Sequence, residues 1–145
     1  MTESDYRAAR AFLCRGRGIR REIEDMRNRI DRAYAALTNA TGSSHGERVS
    51  STGGNAEEWR RVEYGELIHT LETLERRLIN VSNDMITTIN LVADMRLRRI
   101  LSAYYVDCMT HEAIADTLDM SYRHEYRLYK KALRAFAEVH ASGNP

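Results

Sequence analysis

Four basic side chains recur at helical spacing near the end of the chain. Arg123, Arg127, Lys130 and Arg134 stand at i, i+4, i+7 and i+11, so on a helix they share one face. A guanidinium can donate two parallel hydrogen bonds to a phosphate or to the edge of a guanine, and an ammonium offers a compact positive charge. The spacing therefore predicts a surface that binds a polyanion, or else a solvated helix face, which is what charge runs usually are.

The residues around this stripe predict two short helices joined by a tight turn. Thr110 can cap a helix that runs to about Leu118, and Ser121 can cap a second helix after the turn at Asp119 and Met120. The apolar positions expected to face inward are Ile114, Ala115, Leu118, Met120, Leu128, Ala132 and Phe136. Such a pattern favours a helix-turn-helix, in which the second helix enters the major groove of DNA.

The start of the second helix is expected to meet base edges, and its later turns are expected to lie near phosphates. The predicted DNA-binding residues are Ser121, Tyr122, Arg123, Tyr126, Arg127, Lys130, Lys131 and Arg134. The residues predicted to recognise the base sequence are Tyr122, Arg123, Tyr126 and Arg127.

A longer set of residues around these helices has a family likeness. The residues that carry it are Arg98, Arg99, Ile100, Leu101, Tyr104, Tyr105, Met109, Thr110, Ala113, Ile114, Ala115, Ser121, Arg123, Tyr126, Arg127, Leu128, Ala132 and Leu133. Residues 96–133 thereby resemble region 4 of bacterial sigma-70 factors, as found in small phage and prophage proteins that carry a helical hairpin ahead of this domain. The resemblance implies a transcription regulator of the late-gene or autolysin type, with double-stranded DNA as its partner and RNA polymerase as a candidate partner.

Two positions depart from that family pattern. Asp119 stands at the turn position usually given to Gly, where the backbone adopts a left-handed conformation. Glu125 stands at a core position usually given to Val or Ile, and a buried carboxylate without a partner is costly. Glu125 is therefore expected to pair, with Arg98 or Arg99 as candidates, unless the second helix is rotated.

Ahead of this region the sequence predicts a long antiparallel coiled-coil hairpin. Apolar residues step by four and three along a first helix from Ser4 to about Thr38 and along a second that Asn55 would cap. The first seam is Ile19, Ile23, Met26, Ile30, Ala33 and Leu37, and the second is Leu67, Leu71, Leu74, Leu78, Val81, Met85, Ile89 and Val92. The Gly- and Ser-rich segment 38–54 between them is predicted to be a flexible tip.

The second helix has a further apolar line, about 100° around, at Ile68, Ile79 and Ile86. Two apolar lines call for two neighbours. They favour a homodimer through the hairpin or docking of the C-terminal domain onto it, and we prefer the dimer. The predicted organisation is all-α, with a hairpin over 1–94, a DNA-binding domain over 95–140 and a tail over 141–145.

Composition limits the remaining functions. The 145 residues have a net charge of +1, so DNA affinity must come from local clustering. No apolar run reaches the ~20 residues of a membrane span, and Cys14 and Cys108 have no partner motif, so a cytoplasmic protein is expected. No histidine pair has metal-binding spacing and no nucleotide loop is recognisable, so neither a cofactor nor an enzyme is predicted.

Two alternatives to a DNA-binding regulator remain: a phage packaging protein like a small terminase subunit, and a protein-only adaptor that binds RNA polymerase.

Overall fold

The regular elements of the protein are helices throughout the part of the chain that the computed structural model describes, which is residues 1–42 and 53–143. They are α1 (Glu3–Gly42), α2 (Gly53–Ile89), α3 (Met95–Leu101), a π-helical segment (Ser102–Val106), α4 (His111–Thr117) and α5 (Tyr122–Ser142). The predicted all-α class is therefore confirmed for these residues. None of the helices within them is both long and apolar enough to cross a membrane.

The helices form two compact units. The first unit consists of Met1–Gly18 together with Leu78–Pro145, and the second consists of Ile19–Arg77. Both boundaries lie inside α1 and α2, whereas the sequence analysis put a single boundary at residue 94. The first and last parts of the chain thus belong to one packing unit.

In the unit Ile19–Arg77, the two helical stretches run antiparallel. Arg27 pairs with Glu75 at 3.3 Å between Nη2 and Oε1, and the ring of Tyr34 lies 6.1 Å from that of Tyr64, so positions rise along α1 as they fall along α2. The predicted seam positions in this unit are all shielded from solvent, wholly or in part. Ile19, Ile23 and Ile30 are buried, and the partly buried positions are Met26, Ala33, Leu37, Leu67, Leu71 and Leu74.

The unit formed by Met1–Gly18 and Leu78–Pro145 holds a core to which every helix contributes. Its buried apolar residues include Leu13 of α1, Met85 and Ile89 of α2, Ile100 of α3 and Phe136 of α5. Each such side chain contributes roughly 1.5–3 kcal/mol by its removal from water. The first turns of α1 are therefore part of the same core as α5.

Several predicted helix limits were wrong by a few residues. The first helix continues past Thr38 to Gly42, and α2 begins at Gly53, so Asn55 lies in its first turn instead of capping it. Helix propensities differ by well under 1 kcal/mol for most residues, so Thr, Asn and Ser need not end a helix when no proline intervenes. At the other end α5 includes Ala141 and Ser142 of the predicted tail. The rest of the predicted flexible tip, residues 43–52, lies outside the described residues, as do residues 144–145.

Candidate nucleic-acid interface

The predicted caps set the start of α4 and of α5. Thr110 Oγ1 accepts a hydrogen bond from the backbone N–H of Ala113 at 3.2 Å, and Ser121 Oγ accepts one from that of His124 at 3.2 Å. Each cap satisfies a donor that the helix itself leaves free, which contributes about 1 kcal/mol. Asp119, between the helices, has a φ of 53°, so the predicted left-handed turn residue is confirmed.

All eight predicted DNA-binding residues are exposed on α5 or at its cap. Five of them, Arg123, Arg127, Lys130, Lys131 and Arg134, fall within an arc of about 100° when placed at 100° per residue. Among the described residues none of these five forms an ion pair. Lys130 Nζ lies 4.8 Å from the centroid of the Tyr126 ring. The face thus concentrates positive charge that no protein carboxylate neutralises within ion-pair distance.

Tyr122 and Tyr126 form an ordered aromatic edge beside this basic face. Their rings are nearly parallel, with an interplanar angle of 5° and centroids 6.1 Å apart, and both remain exposed, by 49% and 38%. The ring of His111, at the start of α4, stands edge-on to Tyr126 at 5.4 Å and to Tyr122 at 6.2 Å. α4 therefore supports the first turns of α5 through this histidine.

Glu125 is fully buried. Burial was expected, because Glu125 stands at a core position of the sigma-70 region 4 pattern that the sequence resembles. Its partner is His111, whose Nδ1 lies 3.1 Å from Oε1 and 3.0 Å from Oε2. Only the approach to Oε1 has hydrogen-bond geometry, so Oε2 is left without a hydrogen bond. The expectation that Glu125 pairs is confirmed, but the expected partners were wrong: Arg98 donates to the carbonyl of Val92 at 3.0 Å instead.

A second set of contacts connects α1 to this site. The guanidinium of Arg17 lies 4.0 Å from the centroid of the Tyr104 ring and donates to Tyr104 Oη and to its backbone carbonyl, each at 3.2 Å. The Tyr104 ring in turn stacks on His111, with centroids 4.5 Å apart. In sequence, Arg17 sits in an Arg-Gly-Arg-Gly run that carries no signal for such a long-range contact.

Tyr104 belongs to the π-helical segment, and its neighbour Tyr105 is buried. The hydroxyls of Tyr105 and Tyr129 lie 2.7 Å apart. Burial raises the pKa of both phenols above the ordinary value, and for Tyr105 the hydrogen bond to Tyr129 adds to the effect. The π-helical segment therefore brings one tyrosine to His111 and the next to α5. The periodicity of the sequence predicted an ordinary helix over 95–106 and could not detect the extra residue in the turn.

The surface of α4 and its flanks has the opposite charge. Asp107, Glu112, Asp116 and Asp119 are all exposed, and no lysine or arginine occurs between Ile100 and Tyr122. Beside this surface, a cavity of about 400 Å³ opens between α3 and α4. Its lining includes Met95, Arg99, Met109 and Leu118. Within residues 1–42 and 53–143, no group of three or more His, Cys, Asp or Glu residues is placed to hold a metal ion.

The family comparison covers this whole region. The family described as "Protein of unknown function (DUF1492)" matches residues 40–137, which include α3, the π-helical segment, α4 and most of α5. The chain belongs to that family. No curated protein and no solved structure matches the chain significantly.

Proposed function

We propose that this protein is a sequence-specific double-stranded DNA-binding regulator of phage or mobile-element transcription, with α5 as the recognition helix of a sigma-region-4-like helix-turn-helix. One observation supports it above the rest. The five Arg and Lys side chains of α5 share one exposed face, directly after a capped N-terminus, and none of them pairs with a carboxylate of residues 1–42 or 53–143. A run of like charges alone is usually a solvated face, but a basic cluster on one face of a helix is also the electrostatic footprint of a nucleic-acid-binding surface, and here it follows the capped start of the second helix, where a recognition helix meets DNA.

The proposed roles follow from position along α5. Arg123 and Arg127 lie in the first two turns, where a recognition helix meets base edges, and a guanidinium can bond guanine O6 and N7 together. Tyr122 and Tyr126 extend that edge with phenol groups suited to phosphate oxygens or thymine methyls. Lys130, Lys131 and Arg134 lie further along and would contact the phosphate backbone.

Selection of bound fragments from a random duplex library, at two salt concentrations, tests this proposal. We expect an enriched motif with the full chain and loss of that motif with Arg123→Ala or Arg127→Ala. Arg60→Ala is the matched control, because Arg60 is an exposed arginine on α2, in the other unit. Unchanged affinity and sequence preference in the α5 variants would exclude the proposal. Binding without any motif would favour the packaging alternative.

A second candidate function is supported by the acidic surface around α4. In a helix-turn-helix the first helix crosses close to the DNA backbone. The carboxylates of Glu112, Asp116 and Asp119 would there face phosphates and weaken binding. A protein-only adaptor for RNA polymerase would tolerate them, and the cavity between α3 and α4 would offer it an apolar contact.

Salt dependence separates the two functions. Phosphate contacts make the logarithm of affinity fall with the logarithm of salt by about 0.9 for each phosphate neutralised. Neutralising the acidic surface with Glu112→Gln and Asp116→Asn should strengthen binding to duplex DNA if α4 lies near phosphates. No binding of duplex DNA at either salt concentration would favour the adaptor, and binding to purified RNA polymerase would then be measured directly.

A further inference from the structure

Helix α2 carries a second coiled-coil seam that the protein's own core does not use. The inward seam of this part of the helix is Leu78, Val81, Met85 and Ile89, of which Met85 and Ile89 are buried and Leu78 and Val81 are partly buried. About 100° around, Ile79, Asn83 and Ile86 of α2 and Asn90 follow each other by four, three and four residues. Asn90 comes directly after the last residue of α2 and donates its backbone N–H to the carbonyl of Ile86 at 2.9 Å. All four are exposed, Ile79 by 59% and Ile86 by 38%. We call these four residues the outer seam.

The spacing and composition of the outer seam are those of a helix-pairing surface. An isoleucine recurs every seven residues and an asparagine recurs every seven residues, so each heptad offers one apolar and one amide position. A single Asn in a seam costs stability but fixes the register and the number of helices that pair. Ile68, the remaining member of the predicted second apolar line, is partly buried and is not counted in the outer seam.

The charge of this surface points to what covers it. Between Leu78 and Ala93 the chain has one charged residue, Asp84, although charged residues make up 30% of the whole sequence. Asp84 lies about 100° away from Asn83 and thus off the seam. A two-fold interface brings each residue near its own copy, so a charge there would repel itself, whereas an asparagine amide can both donate to and accept from its copy.

We propose that a second copy of this chain packs on the outer seam, pairing α2 of one protomer with α2 of the other. Ile79 and Ile86 supply the apolar contact, and Asn83 and Asn90 set the register. The chain just after Asn90 also has two exposed apolar side chains, Leu91 and Met95, which are 62% and 64% exposed. A two-fold pair of this kind would present two α5 helices, so it also predicts paired DNA half-sites about one helical turn, ~34 Å, apart. The dimer itself does not depend on the proposed DNA binding.

Sedimentation velocity of the full chain over a wide concentration range tests the dimer, with reductant present because Cys14 and Cys108 are exposed. We expect a monomer–dimer equilibrium for the natural chain and a monomer for the Ile79→Arg/Ile86→Arg variant. Trp59→Arg/Val62→Arg is the matched control: both residues are exposed apolar side chains of α2, and glutamates surround them. Helix content by circular dichroism should be equal in all three proteins, since the replaced residues are exposed.

A second pair of variants tests whether the partner is a copy of the chain. Asn83→Asp keeps the shape of the side chain but places like charges across a two-fold axis. It should weaken the dimer by about tenfold or more, equal to about 1.4 kcal/mol. Asn80→Asp, an exposed residue about 60° off the seam, should leave the dimer unchanged.

The proposal is overturned if the natural chain stays monomeric at its highest concentration, if the Ile79→Arg/Ile86→Arg variant still dimerises, or if a ring of eight or more chains forms. A dimer that fails to select any DNA motif would leave this inference standing and exclude the proposed function. A monomer that selects a single half-site would do the reverse.

Discussion

The imidazole Nδ1 of His111 stands 3.1 Å from Oε1 of Glu125, a carboxylate with no exposed surface. This contact joins the first turn of α4 to the first turn of α5. A buried polar group that loses its hydrogen-bond partner costs about 1–3 kcal/mol, because nothing replaces the hydration it gave up. The packing of α4 against α5 thus includes a polar pair at a position where the sigma-70 region 4 pattern has an apolar residue.

The first prediction concerns that pair. His111→Ala should lower the free energy of unfolding by about 3 kcal/mol, since it leaves Glu125 buried and unpaired. His111→Phe combined with Glu125→Leu should cost much less, because an apolar contact replaces both groups. Urea unfolding monitored by circular dichroism measures the difference. Equal losses for the single and the double variant would mean that the pair does not act as a unit.

The second prediction concerns alkaline pH. Burial raises the pKa of Tyr105 and of Tyr129 in the folded state, while the same phenols in the unfolded chain ionise near pH 10. The unfolded state therefore releases protons first as the pH rises. The stability that these groups contribute is fully present below about pH 10 and is lost progressively above it.

Unfolding midpoints in urea between pH 8 and 11 test this. The natural chain should lose stability steeply above pH 10, and Tyr105→Phe should flatten that loss while lowering stability at pH 8, because Tyr129 loses its hydrogen bond. Tyr34→Phe is the control, since Tyr34 is 56% exposed and lies in the other unit. A loss above pH 10 that is identical in Tyr105→Phe would contradict the prediction.

The third prediction concerns two residues with left-handed backbone. Cys108 has a φ of 56° and Asp119 one of 53°. That conformation costs L-residues roughly 1–2 kcal/mol, and glycine avoids the cost at the expense of roughly 0.5–1 kcal/mol of chain entropy. Cys108→Gly should therefore stabilise by about 0.5–1 kcal/mol, and Asp119→Gly by less, because aspartate tolerates this region better. Asp107→Gly, at a φ of −86°, should destabilise. Thermal unfolding of the three variants decides the order.

The fourth prediction follows from the proposed function and distinguishes the α5 residues that recognise bases from those that contact phosphates. Lys131→Ala should weaken binding equally for all DNA sequences and lower the salt slope by about 0.9, the value for one phosphate. Arg127→Ala should also weaken discrimination among bases at one position of the motif, by about 1–3 kcal/mol. Fluorescence anisotropy with the selected site and a scrambled site, at several salt concentrations, measures both effects. If Arg127→Ala, like Lys131→Ala, weakens binding equally for both DNA sites, Arg127 contacts the DNA backbone instead of a base.

Local signals in the sequence were enough to predict much of this structure. The caps at Thr110 and Ser121, the strained turn at Asp119 and the inward seam of α1 depend on neighbours within a few residues, and all were confirmed. The burial of Glu125 was also anticipated, but its partner was not. His111 lies in a different helix, and no short-range pattern marks a histidine that will meet a carboxylate fourteen residues later.

Contacts between distant parts of the chain were beyond the sequence signals. Arg17 contacts Tyr104, which lies 87 residues later in the π-helical segment, and no local pattern around either residue marks that contact. Exposure is equally beyond local signals. Trp59 is the largest kind of apolar side chain, yet it is 72% exposed, because burial depends on which neighbours the fold provides.

The composition of the first packing unit has a consequence during synthesis. Leu13 and Phe12 leave the ribosome early, but the ring of Phe12 meets that of Phe136, and Leu13 shares a core with the last helix. The nascent chain must therefore hold these apolar side chains without their final partners until α5 has been translated. Over that interval the stretch Ile19–Arg77 can already pair with itself, so the unit that carries the basic helix should be the last to become resistant to protease.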